Sequence, residues 1–178
     1  MQALNVVSQQ ELSWEKPQIQ HRNYFLRSGE SVLASLKWEK AFSTLALAES
    51  AAGAWTFKRS GFLKQIITVR IAPTEQEIGR FEANWNGSGV LRMYDSATYR
   101  WGKNRERRGY WSFFDALDRP VFSLRARDFA GKTKANVVLE PGAVNQNNLP
   151  LLLSLGWYLS LMRQNDEVAT TTAITAGI

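Results

Sequence analysis

The sequence predicts a mainly β fold, a closed antiparallel β-barrel of about 12 strands that encloses a C-terminal hydrophobic α-helix. Two features predict this fold. About ten short runs between residues 24 and 140 alternate apolar and polar side chains, as half-buried strands do. The stretch LPLLLSLGWYLSLMRQ (residues 149–164) is apolar on every side, and a helix of that kind must be surrounded by protein. A curved sheet built from the strands would provide that enclosure.

The strand runs share a two-residue period. In EIGRFEANW, for example, the period places Phe81, Ala83 and Trp85 on the inner side of the sheet. The motif NGSG (residues 86–89) follows and predicts a turn before the next strand. The runs are, in chain order, SVLASLKW, TLALAES, GAWTFKRSGF, KQIITVRIA, EIGRFEANW, VLRMYDSATYRW, GYWSFFDALDRP, VFSLRARDF and ANVVLEPG.

The C-terminal run fits the inside of such a barrel. Its apolar part holds about 14 residues, whereas a membrane-spanning helix needs about 20. As a helix it would be ~24 Å long, close to the ~23 Å of a seven-residue strand. Gly156 in its middle costs about 1 kcal/mol of helix propensity relative to alanine. We expect this glycine where a ring from the sheet presses on the helix backbone.

The sequence contains no composition break that would indicate two domains. We therefore expect one barrel domain over residues 21–166, with its central helix at residues 149–164. Residues 1–20 are polar and are predicted to be a flexible segment, and residues 167–178 a loose tail. A weak strand near the N-terminus or within residues 140–148 would complete the strand count.

The residue types exclude several kinds of chemistry. The chain has no cysteine and one histidine, His21, which lies in a polar leader and is interpreted as a surface residue rather than a general base or metal ligand. No nucleophile elbow, phosphate loop or calcium loop is present. We expect a non-enzymatic protein without cofactor or metal. The N-terminus lacks the pattern of a signal peptide, which predicts a cytoplasmic location, with peripheral association at a membrane.

Basic clusters are the most informative functional feature, in a chain with a net charge of +6. The segment YRWGKNRERRGYW has five basic residues and is bracketed by tryptophans. Such clusters hold the phosphates of lipid headgroups, and they also bind nucleic acid or acidic proteins. Alternatively, they form the solvated outer face of the barrel. The candidate ligand-binding residues are Lys58, Arg59, Lys64, Arg100, Lys103, Arg105, Arg107, Arg108, Arg125 and Arg127.

The order of these elements resembles the tubby C-terminal-like superfamily, which includes the LURP-one-related proteins and the phospholipid scramblases. The likeness lies in the opening strand pair NYFLRSGESVLASLKW, the basic strand WTFKRSGF, the turn and strand GSGVLRMYDSATYRW, and the final helix. It spans most of residues 23–165, and it is a likeness of pattern and order. The resemblance implies a bacterial member of the superfamily with the barrel and helix described above.

The resemblance also implies a function. The tubby branch binds phosphoinositides through basic side chains on neighbouring strands, and Lys58 and Arg59 are the residues here that are closest in kind. The scramblase branch is associated with calcium, but this chain has no acidic cluster to match. We therefore expect docking on anionic phospholipid headgroups or a membrane surface. The alternative is a nucleic-acid or protein-interaction module that uses the Arg-rich segment 100–108.

Overall fold

A computed structural model of the chain describes residues 1, 11–17, 22–38, 40, 43–61, 64–129 and 132–175. Within these residues twelve strands form a closed antiparallel barrel in which consecutive strands are neighbours and the first pairs with the last. The predicted barrel with a C-terminal helix is therefore confirmed. The elements are β1 (Leu12–Glu15), β2 (Asn23–Ser28), β3 (Ser31–Trp38), β4 (Leu45–Ser50), β5 (Gly53–Ser60), β6 (Ile66–Ile71), β7 (Glu77–Ala83), β8 (Gly89–Met93), β9 (Thr98–Lys103), β10 (Trp111–Phe114), β11 (Pro120–Phe129), β12 (Lys132–Leu139) and the helix α1 (Leu149–Thr175).

The inner wall of the barrel is built from the apolar residues of the alternating runs. Phe57 lies opposite Val69 across β5 and β6, and Phe81 lies opposite Ile67 on one side and Leu91 on the other. All five are at most 2% exposed. The two-residue period therefore sends one apolar row to the interior and leaves the polar row outside.

The first half of α1 fills the barrel. Every residue from 151 to 162 is buried, on all faces of the helix. Its two serines bond to the helix backbone one turn earlier: Ser154 Oγ donates to the carbonyl of Pro150 and Ser160 Oγ to that of Gly156, each at 2.9 Å. Polar side chains satisfied in this way can lie in an apolar interior. Among the described residues, no helix combines the length and the mean hydropathy of a membrane span.

Gly156 lies where the sheet presses hardest on the helix. A Cβ at this position would be 3.0 Å from Cζ of Phe122 and 3.2 Å from Cζ3 of Trp101. Both rings are buried and belong to a cluster with Phe113 and Trp111. The expectation that a ring from the sheet meets the helix backbone at Gly156 is confirmed.

A second aromatic cluster packs on the opposite side of α1. Trp157 stacks on Trp14 at 6.1 Å between ring centroids, and Tyr158 stacks on Trp38 at 5.7 Å. The hydroxyl of Tyr158 donates to the carbonyl of Thr44 at 2.6 Å. Burial raises the pKa of this phenol well above its ordinary value, so it stays neutral and donates its proton.

The two ends of the barrel differ in what the helix does there. At one end, here called the base, α1 begins, and the amide of Asn148 bonds to the hydroxyl of Tyr99. At the other end, here called the mouth, α1 leaves the barrel after Met162 beside the connection 84–88 and the ends of β9 and β10 at Lys103 and Trp111. Residues 163–171 of α1 are half-buried or exposed.

The structure corrects the predicted boundaries of the domain. Residues 1–20 are not one flexible segment, because β1 (Leu12–Glu15) lies between β12 and β2 and closes the barrel, with Trp14 fully buried. The helix does not end at residue 164, nor are residues 167–175 loose, because α1 continues to Thr175. An established helix grows at little cost, and Arg163 pairs with Glu167 one turn later. His21 lies outside the described residues.

Candidate anionic-ligand site at the mouth of the barrel

The ten basic residues predicted as ligand-binding do not form one surface. Lys58 is exposed on the outer wall in β5, away from the mouth cavity described below. Lys64 pairs with Glu82 at 2.8 Å. Arg100 donates to Asp118, with Nε at 2.9 Å, and lies over the ring of Phe114 at 3.9 Å. These three cations therefore do not converge, and two of them already have a carboxylate partner.

The Arg-rich connection 104–110 is folded against the outer wall by Asn104. Its Oδ1 accepts the backbone N–H groups of Glu106 and Arg107 at 2.9 and 3.0 Å. Its Nδ2 donates to the hydroxyls of Ser112 and Ser123 at 3.0 and 3.1 Å, and all three side chains are buried. The arginines are therefore displayed by an ordered connection, since a buried amide with four hydrogen bonds holds it in place.

The arginines of this region differ in their surroundings. Arg107 reaches Glu140, with Nε to Oε1 at 3.4 Å, and Arg125 lies 5.9 Å from the ring centroid of Tyr110. Arg105 and Arg108 are exposed, and so is Arg127, further along β11. Among the described residues, none of these last three has an ion-pair partner. These three cations are therefore among those that remain available to an external anion.

Trp85 is a mouth residue that the sequence analysis placed wrongly. The alternating period of β7 predicted that its side chain points into the barrel, but the strand ends at Ala83 and Trp85 is 99% exposed. The backbone N–H of Asn84 bonds to the carbonyl of Ser88 at 2.7 Å, which starts a turn. The motif NGSG, which begins directly after Trp85, indicated this turn in the sequence. The turn also includes Asn84 and Trp85, which precede the motif.

The turn that carries Trp85 is held by its own side chains. Asn86 Oδ1 accepts both the backbone N–H of Ser88 at 3.0 Å and the hydroxyl of Ser88 at 2.7 Å. Asn84 Nδ2 donates to the same hydroxyl at 2.9 Å. Gly87, with φ of 81°, lies against Arg163 and Trp111. A large apolar ring is therefore fully exposed on a well-bonded turn.

A cavity of about 700 Å³ opens at the mouth, between this turn and the emerging helix. Its floor contains Ile67, Phe81, Leu159 and Met162, which are almost fully buried. Its polar lining includes amides from Gln65, Asn84 and Asn86. The volume lies in the range of small-molecule sites, which is about 300–1,000 Å³.

Three cationic and two anionic side chains line this cavity. Arg59 pairs with Asp166, with Nη1 to Oδ2 at 2.7 Å. Arg163 pairs with Glu167 and lies 4.9 Å from the ring centroid of Trp111.

Lys103, the remaining cation, is exposed and has no ion-pair partner within the described part of the chain. The cavity therefore has one unbalanced positive charge, located at Lys103. Of the ten predicted residues, the structure brings Arg59 and Lys103 to this cavity.

Comparison with known proteins adds no assignment, because no family model, curated protein or solved structure matches the chain.

Proposed function

We propose that the protein is a non-enzymatic module that docks by the mouth of its barrel on an anionic membrane surface. The observation that supports this most strongly is Trp85, a fully exposed indole at the same end of the barrel as Lys103, a cation without a carboxylate partner among the described residues. Tryptophan favours the interface between lipid headgroups and acyl chains. Each lysine or arginine near an anionic leaflet adds attraction of about 1 kcal/mol. The resemblance to tubby-like proteins, also a proposal, is compatible with this function.

The cations that face the membrane in this proposal are Lys103, Arg105 and Arg108. Lys103 lines the mouth cavity with Trp85, and the two arginines belong to the connection that leaves the mouth after Lys103 and that Asn104 holds against the outer wall. The arginines at the base of the barrel do not contribute, because carboxylates already neutralise them.

Flotation with vesicles tests the proposal. Wild-type protein should bind vesicles of phosphatidylcholine mixed with an anionic phospholipid, should not bind phosphatidylcholine alone, and should bind less as salt is raised. The double variant Arg105→Gln/Arg108→Gln should bind about thirtyfold more weakly, given ~1 kcal/mol per charge. Trp85→Ala should also weaken binding, whereas its melting temperature should stay that of the wild type because the ring is fully exposed.

The matched control is Arg100→Gln/Arg119→Gln, which removes the same formal charge from the base of the barrel. Both of these arginines are paired with aspartates there. If this control weakens vesicle binding as much as the mouth variant does, net charge alone drives the association and the docking mode is wrong. Binding to single-stranded DNA or RNA in place of vesicles, with the same dependence on Trp85, would instead support the nucleic-acid alternative.

A further inference from the structure

The mouth cavity has features that docking on a charged surface does not require. A flat surface of cations is enough to attract an anionic membrane, yet here one cation is placed inside a concave site of about 700 Å³ with amide groups around it. We infer that this cavity binds one membrane-lipid headgroup of a particular class, a monoanionic phosphodiester that bears hydroxyl groups, as in phosphatidylglycerol. This inference rests on the proposed membrane docking and names the lipid that the mouth selects.

The charge of the cavity sets the charge of the headgroup. The ion pairs Arg59–Asp166 and Arg163–Glu167 neutralise themselves, so Lys103 alone is left for the ligand. One unpaired cation matches one phosphodiester charge. A lysine ammonium with three N–H donors binds a phosphate oxygen as a charge-assisted hydrogen bond.

The same ion pairs disfavour other anionic headgroups. A serine headgroup carries an ammonium group and an additional carboxylate. Its ammonium would need a carboxylate in the cavity, but Asp166 and Glu167 are both already bound by arginine. A phosphomonoester such as phosphatidic acid has more negative charge than one lysine balances.

The neutral lining suits hydroxyl groups. Gln65, Asn84 and Asn86 contribute amides, which both donate and accept hydrogen bonds, to the wall of the cavity. The apolar floor is almost completely covered, so it offers little area to an acyl chain. The cavity therefore takes the polar head, and the lipid tails remain in the bilayer, whose interface Trp85 enters at the rim.

The experiment compares vesicles of equal surface charge. Mixtures of phosphatidylcholine with phosphatidylglycerol or with phosphatidylserine are used at the same anionic fraction. Wild-type protein should bind the phosphatidylglycerol vesicles about tenfold more tightly, because the glycerol hydroxyls find amide partners in the cavity whereas the ammonium and carboxylate of serine do not. Lys103→Gln should abolish this preference, and Lys103→Arg should retain most of it.

The control variant Arg105→Gln/Arg108→Gln should weaken binding to both vesicles by the same factor and keep the preference. Soluble glycerophosphoglycerol should compete for wild-type protein better than inorganic phosphate does, which separates a headgroup site from a simple phosphate site.

The two proposals fail in different ways. Equal binding to both vesicles would overturn the headgroup inference and leave membrane docking standing, as would a preference that Lys103→Gln does not change. Absence of binding to either vesicle would overturn both.

Discussion

The two ends of the barrel differ in how completely carboxylates pair with their cations. At the base, Arg80, Arg100 and Arg119 each bind a carboxylate, and Glu77 accepts hydrogen bonds from both Arg80 and Tyr94. At the mouth, Lys103 has no such partner among the described residues, and neither do Arg105 and Arg108 in the connection that follows it and folds against the outer wall. Composition alone therefore does not locate a binding surface, because a cation is available to a ligand only where the fold supplies no counter-charge.

The exposed aromatic residues also differ between the two ends in whether their polar group has a partner. At the base, Tyr94 is 60% exposed, but its hydroxyl is engaged by Glu77. At the mouth, Trp85 is 99% exposed and lines a cavity beside an unpaired lysine. The mouth is thus the end of the barrel that is electrostatically and sterically open, and α1 connects it to the closed base.

The largest expected effect comes from breaking the helix that joins the two ends. Leu155 is completely buried inside the barrel. Leu155→Asp would place an unpaired charge there, which should lower the free energy of unfolding by about 4 kcal/mol or more. This is a large fraction of the stability of a typical domain, so we expect loss of the cooperative unfolding transition in circular dichroism.

Val168→Asp is the matched control for this change. Val168 is in the same helix but outside the barrel, and it is 66% exposed. Its substitution should change the free energy of unfolding by less than about 0.5 kcal/mol. If Leu155→Asp melted as the wild type does, α1 could not be enclosed by the strands, and the distinction between base and mouth would be lost.

The enclosed helix was predictable because its signal is strong and local. Residues 151–162 are apolar in every direction, and only an enclosure accommodates such a helix. The ends of the fold were not predictable in this way. β1 has four residues, of which only Leu12 and Trp14 are apolar, and so short a run does not reveal its period. The continuation of α1 to Thr175 depends on contacts such as Arg59–Asp166, which joins residues far apart in sequence.

A smaller effect is expected from releasing the connection that displays the mouth arginines. Asn104→Ala removes an acceptor from two backbone N–H groups and a donor from two buried hydroxyls. We expect a loss of about 2 kcal/mol in the free energy of unfolding, since two backbone N–H groups lose their acceptor and two buried hydroxyls each lose one hydrogen bond. Hydrogen exchange at the amides of Glu106 and Arg107 should accelerate more than exchange in the strands, because those amides lose their acceptor.

The control for this variant is Asn165→Ala, which changes an exposed asparagine of α1 and should leave both measurements near the wild type. Unchanged exchange at residues 106 and 107 in Asn104→Ala would mean that Asn104 does not order the connection. In that case the arginines would be a loosely held cluster, and vesicle binding should be insensitive to this substitution.

The candidate site was only partly predictable. Arg105 and Arg108 of the Arg-rich segment are exposed, and their role in binding an anion stays a prediction. The residue types could not distinguish them from Arg100, whose partner Asp118 lies on the turn between β10 and β11 at the base. They also could not place Lys103 in a cavity with Arg59, because that requires the closure of the barrel and the position of α1. The ion pairing of an arginine and the concave shape of a site are properties of the tertiary structure. No local sequence pattern predicts them.

The smallest expected effect concerns the carboxylate of Glu77 at the base. It tests whether this group contributes a pH-dependent part of the free energy of unfolding. Hydrogen bonds from Arg80 and Tyr94 lower the pKa of Glu77 below its ordinary value. A carboxyl group with a lower pKa in the folded state stabilises the fold above its unfolded pKa of about 4.3, and this contribution disappears as the pH falls through the folded pKa. Glu77→Gln should therefore be less stable than the wild type at neutral pH, and the difference should shrink towards zero in acid.

The size of this difference should stay below about 1 kcal/mol, because the group lies at the surface and solvent screens its interactions. Urea unfolding of both proteins at neutral and acidic pH would measure it. Tyr94→Phe removes one of the two donors and leaves Arg80 in place, so it should show the same pH dependence with a smaller amplitude. A constant difference between Glu77→Gln and the wild type at all pH values would show that the carboxylate charge contributes nothing. Glu77 would then not contribute to the neutralisation of the base, which would rest on the pairs Arg100–Asp118 and Arg119–Asp115 alone.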